Sequence, residues 1–261
     1  FFEMEYIMRE GILFKLKSGF TLKGYLHKTI CTVGLGETEI AGRIEPLLEE
    51  MPEFLKLAYL PALGQVRIRI TGSHSDAIHL QEEIDKAKRA IDKELAGHII
   101  GYDTDRLEEV IGRILREKGA WLSTAESCTG GSISQRLTGI AGSSDYFRGS
   151  VVAYQNDLKT KLLGVPEILI EHEGVVSESC VREMVKGCCK LMDSRYAIAS
   201  SGIAGPGGGS PQTPVGLIWI AWGTEHHVFA RKFQFFRDRT RNVEAAVQMA
   251  LIEFWKFLKL E

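Results

Sequence analysis

WLSTAESCTGG, residues 121–131, decides the fold. Trp121 to Thr124 reads as a strand that breaks into the small, polar run from Ala125. A helix running to about Leu137 leaves that run. Open α/β sheets bind ligands where a strand ends in such a loop. The unpaired N–H groups at the following helix start favour a phosphate or carboxylate. The same residues also suit a plain turn capped by Ser127 or Thr129. Pattern alone leaves both readings open.

Outward from this stretch the alternation continues. Upstream, Asp105 with Glu108 forms a capping-box-like start to a helix ending at Glu117. Downstream, Gly149–Tyr154 is a β-branched strand, and Asn156 begins a helix. Ser177 to Met192 is helical, with Ser177 as cap and Val181, Met184, Val185 and Cys188 on one face. Tyr196–Ser200 is a buried-type strand that runs into SGIAGPGGGSPQTPVG, residues 201–216. Leu217–Trp222 and His227–Phe236 make a strand pair, and Arg239–Lys259 is a closing helix. Alternating strands and helices predict an α/β/α sandwich with a mixed sheet over residues 101–261.

Residues 27–100 form a second pattern, β-α-β-β-α, which predicts a small α+β domain. A strand ends at Gly34. A helix spans Glu37 to about Glu50, interrupted by Pro46. Lys56–Tyr59 is a short apolar segment, Gln65–Ile70 alternates as a half-buried strand, and Asp76–Leu95 is a charged amphipathic helix. Residues 1–26 keep no clean period and are read as the remnant of a preceding domain or a linker.

The 261 residues are 44% hydrophobic and 25% charged, the range of a globular protein. A net charge of −2 supplies no basic field for a nucleic-acid backbone, so nucleic acid is not an expected partner. No apolar run approaches the ~18 residues a span needs, and no signal peptide is evident. A cytoplasmic protein without membrane contact is expected. The five cysteines match no CxxC or Cys/His spacing and read as free thiols, with no metal site and no cofactor. The apolar strand LIWIAW, residues 217–222, suggests a homodimer.

Three segments could carry chemistry. The first is residues 124–131. The second, residues 201–210, is neither a Walker loop nor a GxGxxG that opens a helix. It either cradles a ligand through backbone N–H groups or simply connects two strands. The third combines Ser143 and Ser144 with Tyr154 and Lys159. A lysine in a first helical turn opposes the macrodipole by ~0.3–1 kcal/mol. That lowers its pKa by only a few tenths, at ~1.36 kcal/mol per unit. A base role near neutral pH needs burial or a neighbouring cation, such as Arg239 or Arg241, for the remaining ~2–3 units.

Five separated motifs then stand in order: TAESCTGG, IAGSSDYF, VVAYQNDLKTKLLGV, SGIAGPGGG and TPVG. Together they resemble the CinA family, and most closely its carboxy-terminal nicotinamide-nucleotide amidohydrolase domain. TVGLGETEIAGRI with YLPALGQVRIRI is similar to the family's KH-like middle domain. FFEMEYIM is similar to the tail of its first, molybdopterin-binding-like domain, most of which the chain lacks. The middle segment reads GLG where an RNA-binding KH domain needs GxxG, so the likeness is one of shape.

The resemblance implies hydrolysis of nicotinamide mononucleotide to nicotinate mononucleotide and ammonia. Carried over by position, Ser144 is the expected nucleophile, Lys159 the general base and Tyr154 a transition-state donor, in the serine–lysine form of acyl transfer. Glu126, Ser127, Thr129, Gly130, Gly131, Ser143, Gly202, Ala204, Gly205, Gly207 and Arg239 are the expected substrate-binding residues. For the phosphate, the order is the Thr129–Gly131 helix start, then the 205–209 loop, then Arg239. Ser127 and Cys128 are the rival nucleophiles, the latter because a helix N-terminus lowers a thiol pKa. Glu126 either binds the ribose or pairs with Lys159, which would oppose the base role. A silent nucleotide-sensing module is the alternative function.

Overall fold

The computed structural model describes residues 2–13, 15, 24–235 and 238–261. The chain forms two compact units, Phe1–Thr104 and Asp105–Glu261. The expected boundary fell at 100/101.

In the first unit, α1 (Phe2–Ile7) runs into a π-helical turn, Met8–Ile12. The remnant-or-linker reading of residues 1–26 also covers residues 1, 14 and 16–23, which lie outside the described residues. There follow β1 (Gly24–Val33), α2 (Glu37–Leu48), β2 (Leu55–Ala62), β3 (Gln65–His74), α3 (Ala77–Glu94) and β4 (Ile99–Tyr102). The sheet order is β2-β3-β1-β4 with antiparallel neighbours. The alternation of β3 turns Val66, Ile68 and Ile70 into a core with Ile40, Ile44, Leu80, Ile84 and Ile91 of the two helices. Asp76 caps α3 by accepting from the N–H groups of Ile78 and His79 at 2.9 and 3.1 Å. Pro46 does not interrupt α2, which continues to Leu48. So near the end, a proline removes only one ladder bond.

The second unit carries α4 (Leu107–Glu117), β5 (Leu122–Glu126), α5 (Ser132–Thr138), β6 (Phe147–Val152), α6 (Asn156–Leu163), α7 (Glu167–Glu173), α8 (Glu178–Met192), β7 (Tyr196–Gly202), β8 (Leu217–Gly223), β9 (Val228–Gln234) and α9 (Arg239–Leu258). The expected strand end at Phe236 lies outside the described residues. The capping box of α4 sits one residue later than expected: Glu109 accepts from the Arg106 N–H at 3.3 Å. Sheet order is β6-β5-β7-β8-β9, with the first three strands parallel and the last two antiparallel. This is the mixed sheet that the alternation predicts.

Helices cover both faces. On one, Leu163 of α6 and Val181, Met184 and Val185 of α8 bury against Ala125, Val151, Ala197 and Ala199. On the other, α9 packs on β7 and β8 beside α4 and α5. The α6–α8 approach is close at Gly187, where a Cβ would stand 1.7 Å from the Leu163 carbonyl oxygen. β5 connects through α5 to β6 on one side, and the chain then crosses to β7 on the other. The C-terminal edge of β5 is therefore a topological switch point, where a crevice opens.

Candidate active site

Parallel pairing sets which residues can meet. Glu126 at the end of β5 is in register with Val152 at the end of β6 and with Ser200 of β7. Ser127 and Tyr154 therefore leave the same edge of the sheet. The Ser127 N–H donates to the Ser200 carbonyl at 3.0 Å, which ties the turn to β7. Lys159, one turn into α6, reaches back under this edge. Its Nζ lies 3.1 Å from Ser127 Oγ and donates to the Ala153 carbonyl at 3.2 Å.

Lys159 is 1% exposed. Among the described residues no carboxylate pairs with it. Burial lowers its pKa, because a charged ammonium loses its water there. The Cys180 and Cys128 thiols act in the opposite direction. The expected cation, Arg239 or Arg241, is not needed: desolvation alone does the lowering. The helix α6 begins at Asn156, as expected, with Gln155 in the cap position.

The structure corrects the role expected of Glu126. It is fully buried, and both carboxylate oxygens are occupied. Oε2 accepts from Thr129 Oγ1 at 2.7 Å and from the Gly131 and Ile133 N–H groups at 3.0 Å. Oε1 accepts from the Ser134 N–H at 2.8 Å and from Thr124 Oγ1 at 3.3 Å. An internal anion thus fills the N-terminus of α5. Neither ribose nor Lys159 takes this carboxylate, and the helix start expected to bind phosphate already has its anion. Gly131 permits the geometry with φ +95°. Among the described residues, the N–H groups of Cys128 and Thr129 donate to no other residue.

The expected Ser144–Lys159 pair does not form. Ser144 lies in a 3-10 turn, Ser143–Asp145, that precedes β6, whereas Lys159 serves the edge where β6 ends. Six residues of strand separate those edges, about 20 Å. Ser143 and Ser144 are thus remote from the crevice. Cys128 fails as a rival for another reason. Burial pushes its thiol up to about 12, and this exceeds any lowering from neighbouring donors. Ser127 is the nucleophile-type group that the fold brings to the lysine.

Tyr154 and Arg239 stand at the mouth. Arg239 donates to Tyr154 Oη at 2.8 Å and to the Gly205 carbonyl at 2.8 Å. Asn242, buried in the next turn of α9, donates to the Ala204 carbonyl at 3.0 Å. These bonds pin the start of the glycine loop to α9. Gly202 belongs to β7, where a Cβ would meet the Leu217 carbonyl at 2.5 Å, so it serves strand packing. Gly207 is exposed on the loop.

A cavity of about 460 Å³ opens beside the pair. That is the size of a small-molecule site. Of the expected residues, Thr129, Gly130, Tyr154 and Arg239 line it. Sequence reasoning missed Gln135, Arg136, Val243, Glu244 and Val247 on its walls. The signal was present: Arg239, Val243 and Val247 recur every fourth residue and share one face of α9.

The motifs agree with known proteins. The family model described as the CinA C-terminal domain matches residues 104–258. That described as the damage-inducible protein CinA KH domain matches residues 27–101. A CinA-like protein of Cytophaga hutchinsonii is 39% identical over 242 residues, 93% of this chain and 58% of the relative. One of Flavobacterium psychrophilum is 38% identical over 98% of this chain and 61% of its own length. The chain thus spans about three-fifths of these relatives. The solved competence/damage inducible protein CihA from Agrobacterium tumefaciens shares 37% identity, with a TM-score of 0.57, over 59% of this chain and 93% of its own. Competence damage-inducible protein A from Klebsiella pneumoniae shares 35% over 56% of this chain and 91% of its own, with a TM-score of 0.55. With a serine–lysine pair buried under the strand edge and two family models covering nearly all of residues 27–258, the chain belongs to the CinA family.

Proposed function

We propose that the second unit hydrolyses the carboxamide of nicotinamide mononucleotide to nicotinate mononucleotide and ammonia, with Ser127 as nucleophile and Lys159 as base. One observation carries the reading: a buried lysine, with no carboxylate paired to it among the described residues, contacts a serine hydroxyl at 3.1 Å beside a nucleotide-sized cavity. A neutral amine has two N–H donors and one lone pair. The Ala153 carbonyl takes one donor, which leaves the lone pair for the serine proton. The pyridinium ring makes the substrate carbonyl electrophilic. Ser127 Oγ bonds to that carbon as its proton passes to Lys159. The C–N bond then breaks, and Lys159 returns the proton to the departing ammonia. Water attacks the acyl-enzyme by the same route, and Ser127 leaves as its hydroxyl. The unengaged N–H groups of Cys128 and Thr129, with Tyr154, are the donors available to the oxyanion, a role worth about 3–4 kcal/mol per donor.

The test is ammonia release from nicotinamide mononucleotide by wild type, Ser127→Ala, Lys159→Met and Ser144→Ala. The first two substitutions are expected to cost roughly 10⁴-fold or more in kcat, and Ser144→Ala to change it little. Retained turnover in Ser127→Ala would discard the mechanism. Tight nucleotide binding without ammonia from wild type would favour a sensing module instead.

A further inference from the structure

Arg136 lies outside every motif used so far, in the last turn of α5. Its Nε and Nη2 bond to the carboxylate of Glu108, whose side chain is 3% exposed, and Nη2 also donates to Gln248 Oε1 at 3.1 Å. Three helices, α4, α5 and α9, thus fix one guanidinium. The Arg136 side chain is nevertheless 34% exposed and forms part of the cavity wall. Among the described residues, Arg136 Nη1 bonds to neither Glu108 nor Gln248. A second observation is independent. Gln248 is 5% exposed, and its amide nitrogen has no partner among the described residues. A buried orphan donor therefore sits beside a half-exposed cation.

The two arginines bracket the cavity. Arg239 opens α9 and bonds to Tyr154 at the reacting end, while Arg136 bonds to Gln248 nine residues later. Nine residues of helix span about 13.5 Å. Glu244 lines the stretch between them, where ribose hydroxyls would be donors. We infer that Arg136 is the receptor for the 5′-phosphate of the substrate, with Glu108 and Gln248 as its positioning residues. This rests on the amidohydrolase reading and supplies what that reading lacked, since Glu126 closes the helix start to phosphate.

The experiment compares nicotinamide mononucleotide with nicotinamide riboside, which lacks the phosphate, on wild type, Arg136→Lys and the paired variant Glu108→Gln/Arg136→Gln. The paired variant removes both charges, so no buried carboxylate is left alone. Losing charge-assisted bonds to phosphate is expected to raise KM for the nucleotide roughly 10- to 100-fold with kcat nearly kept. The riboside kinetics are expected to stay unchanged. Equal losses on both substrates would overturn the inference. A second arm needs no turnover: calorimetric titration with ribose 5-phosphate. Binding by wild type that both variants lose supports the subsite even if amide hydrolysis proves absent. No binding by wild type, or equal binding by all three, sinks it.

Discussion

Lys159 sets the chemistry and also strains the fold. Its amine is buried with a hydroxyl and a carbonyl for company, so its pKa falls below the ordinary 10.5. Between the two values the unfolded chain binds more protons than the folded one, and stability rises with pH. The cost is present in full below the folded pKa and disappears above 10.5. Lys159→Met, an apolar side chain of similar length, is therefore expected to be more stable than wild type at neutral pH. Thermal melts from pH 6 to 10 should show that advantage narrowing as pH rises. A gap independent of pH would mean that the amine titrates alike in the folded and unfolded chains, and so that burial does not lower its pKa. At this scale the sequence was half legible. The motifs located the lysine, but serine spacing could not say which serine meets it. The strand rule could have done so: Ser127 and Tyr154 both follow parallel strands, whereas Ser144 precedes one.

At the scale of elements, the turn after β5 is organised by Glu126. Five donors converge on its two oxygens. An amide in its place can accept on one atom only, and its NH₂ would face N–H groups. Glu126→Gln is expected to destabilise the protein by about 3 kcal/mol, since buried donors lose their acceptor. In a unit of this size that lowers Tm by about 6–12 °C. It should also disturb the adjoining Cys128 and Thr129 N–H groups and reduce kcat. An unchanged melt would show that the carboxylate does not hold the turn. The sequence leaves open a ligand cradle or a turn capped by Ser127 or Thr129, but neither residue caps the helix, and Glu126 takes its N–H groups instead. The outcome is a capped turn whose cap precedes it by several residues, a reach that local capping patterns do not describe. At α8 the cap is local and follows the pattern. Ser177 accepts from the Cys180 N–H at 3.2 Å, and α8 ends at Met192, as its spacing predicts.

For the whole molecule, the division at Thr104/Asp105 carries a consequence for where the activity resides. Every residue assigned to the serine–lysine pair, the oxyanion donors and the cavity lies between Glu108 and Gln248. The second unit has its own sheet with helices on both faces, and its buried cluster draws only on its own residues. The solved relatives point the same way. Alignments covering 59% and 60% of this chain take in 93% and 100% of theirs, so proteins of about this unit's size fold alone. Residues 105–261 expressed by themselves are therefore expected to melt cooperatively. Their kcat on nicotinamide mononucleotide should lie within about threefold of the full chain's, because every residue assigned to the site belongs to this unit. A folded but inactive 105–261, set against an active full chain, would place an essential residue in the first unit. An unfolded one would show that the two units share a core.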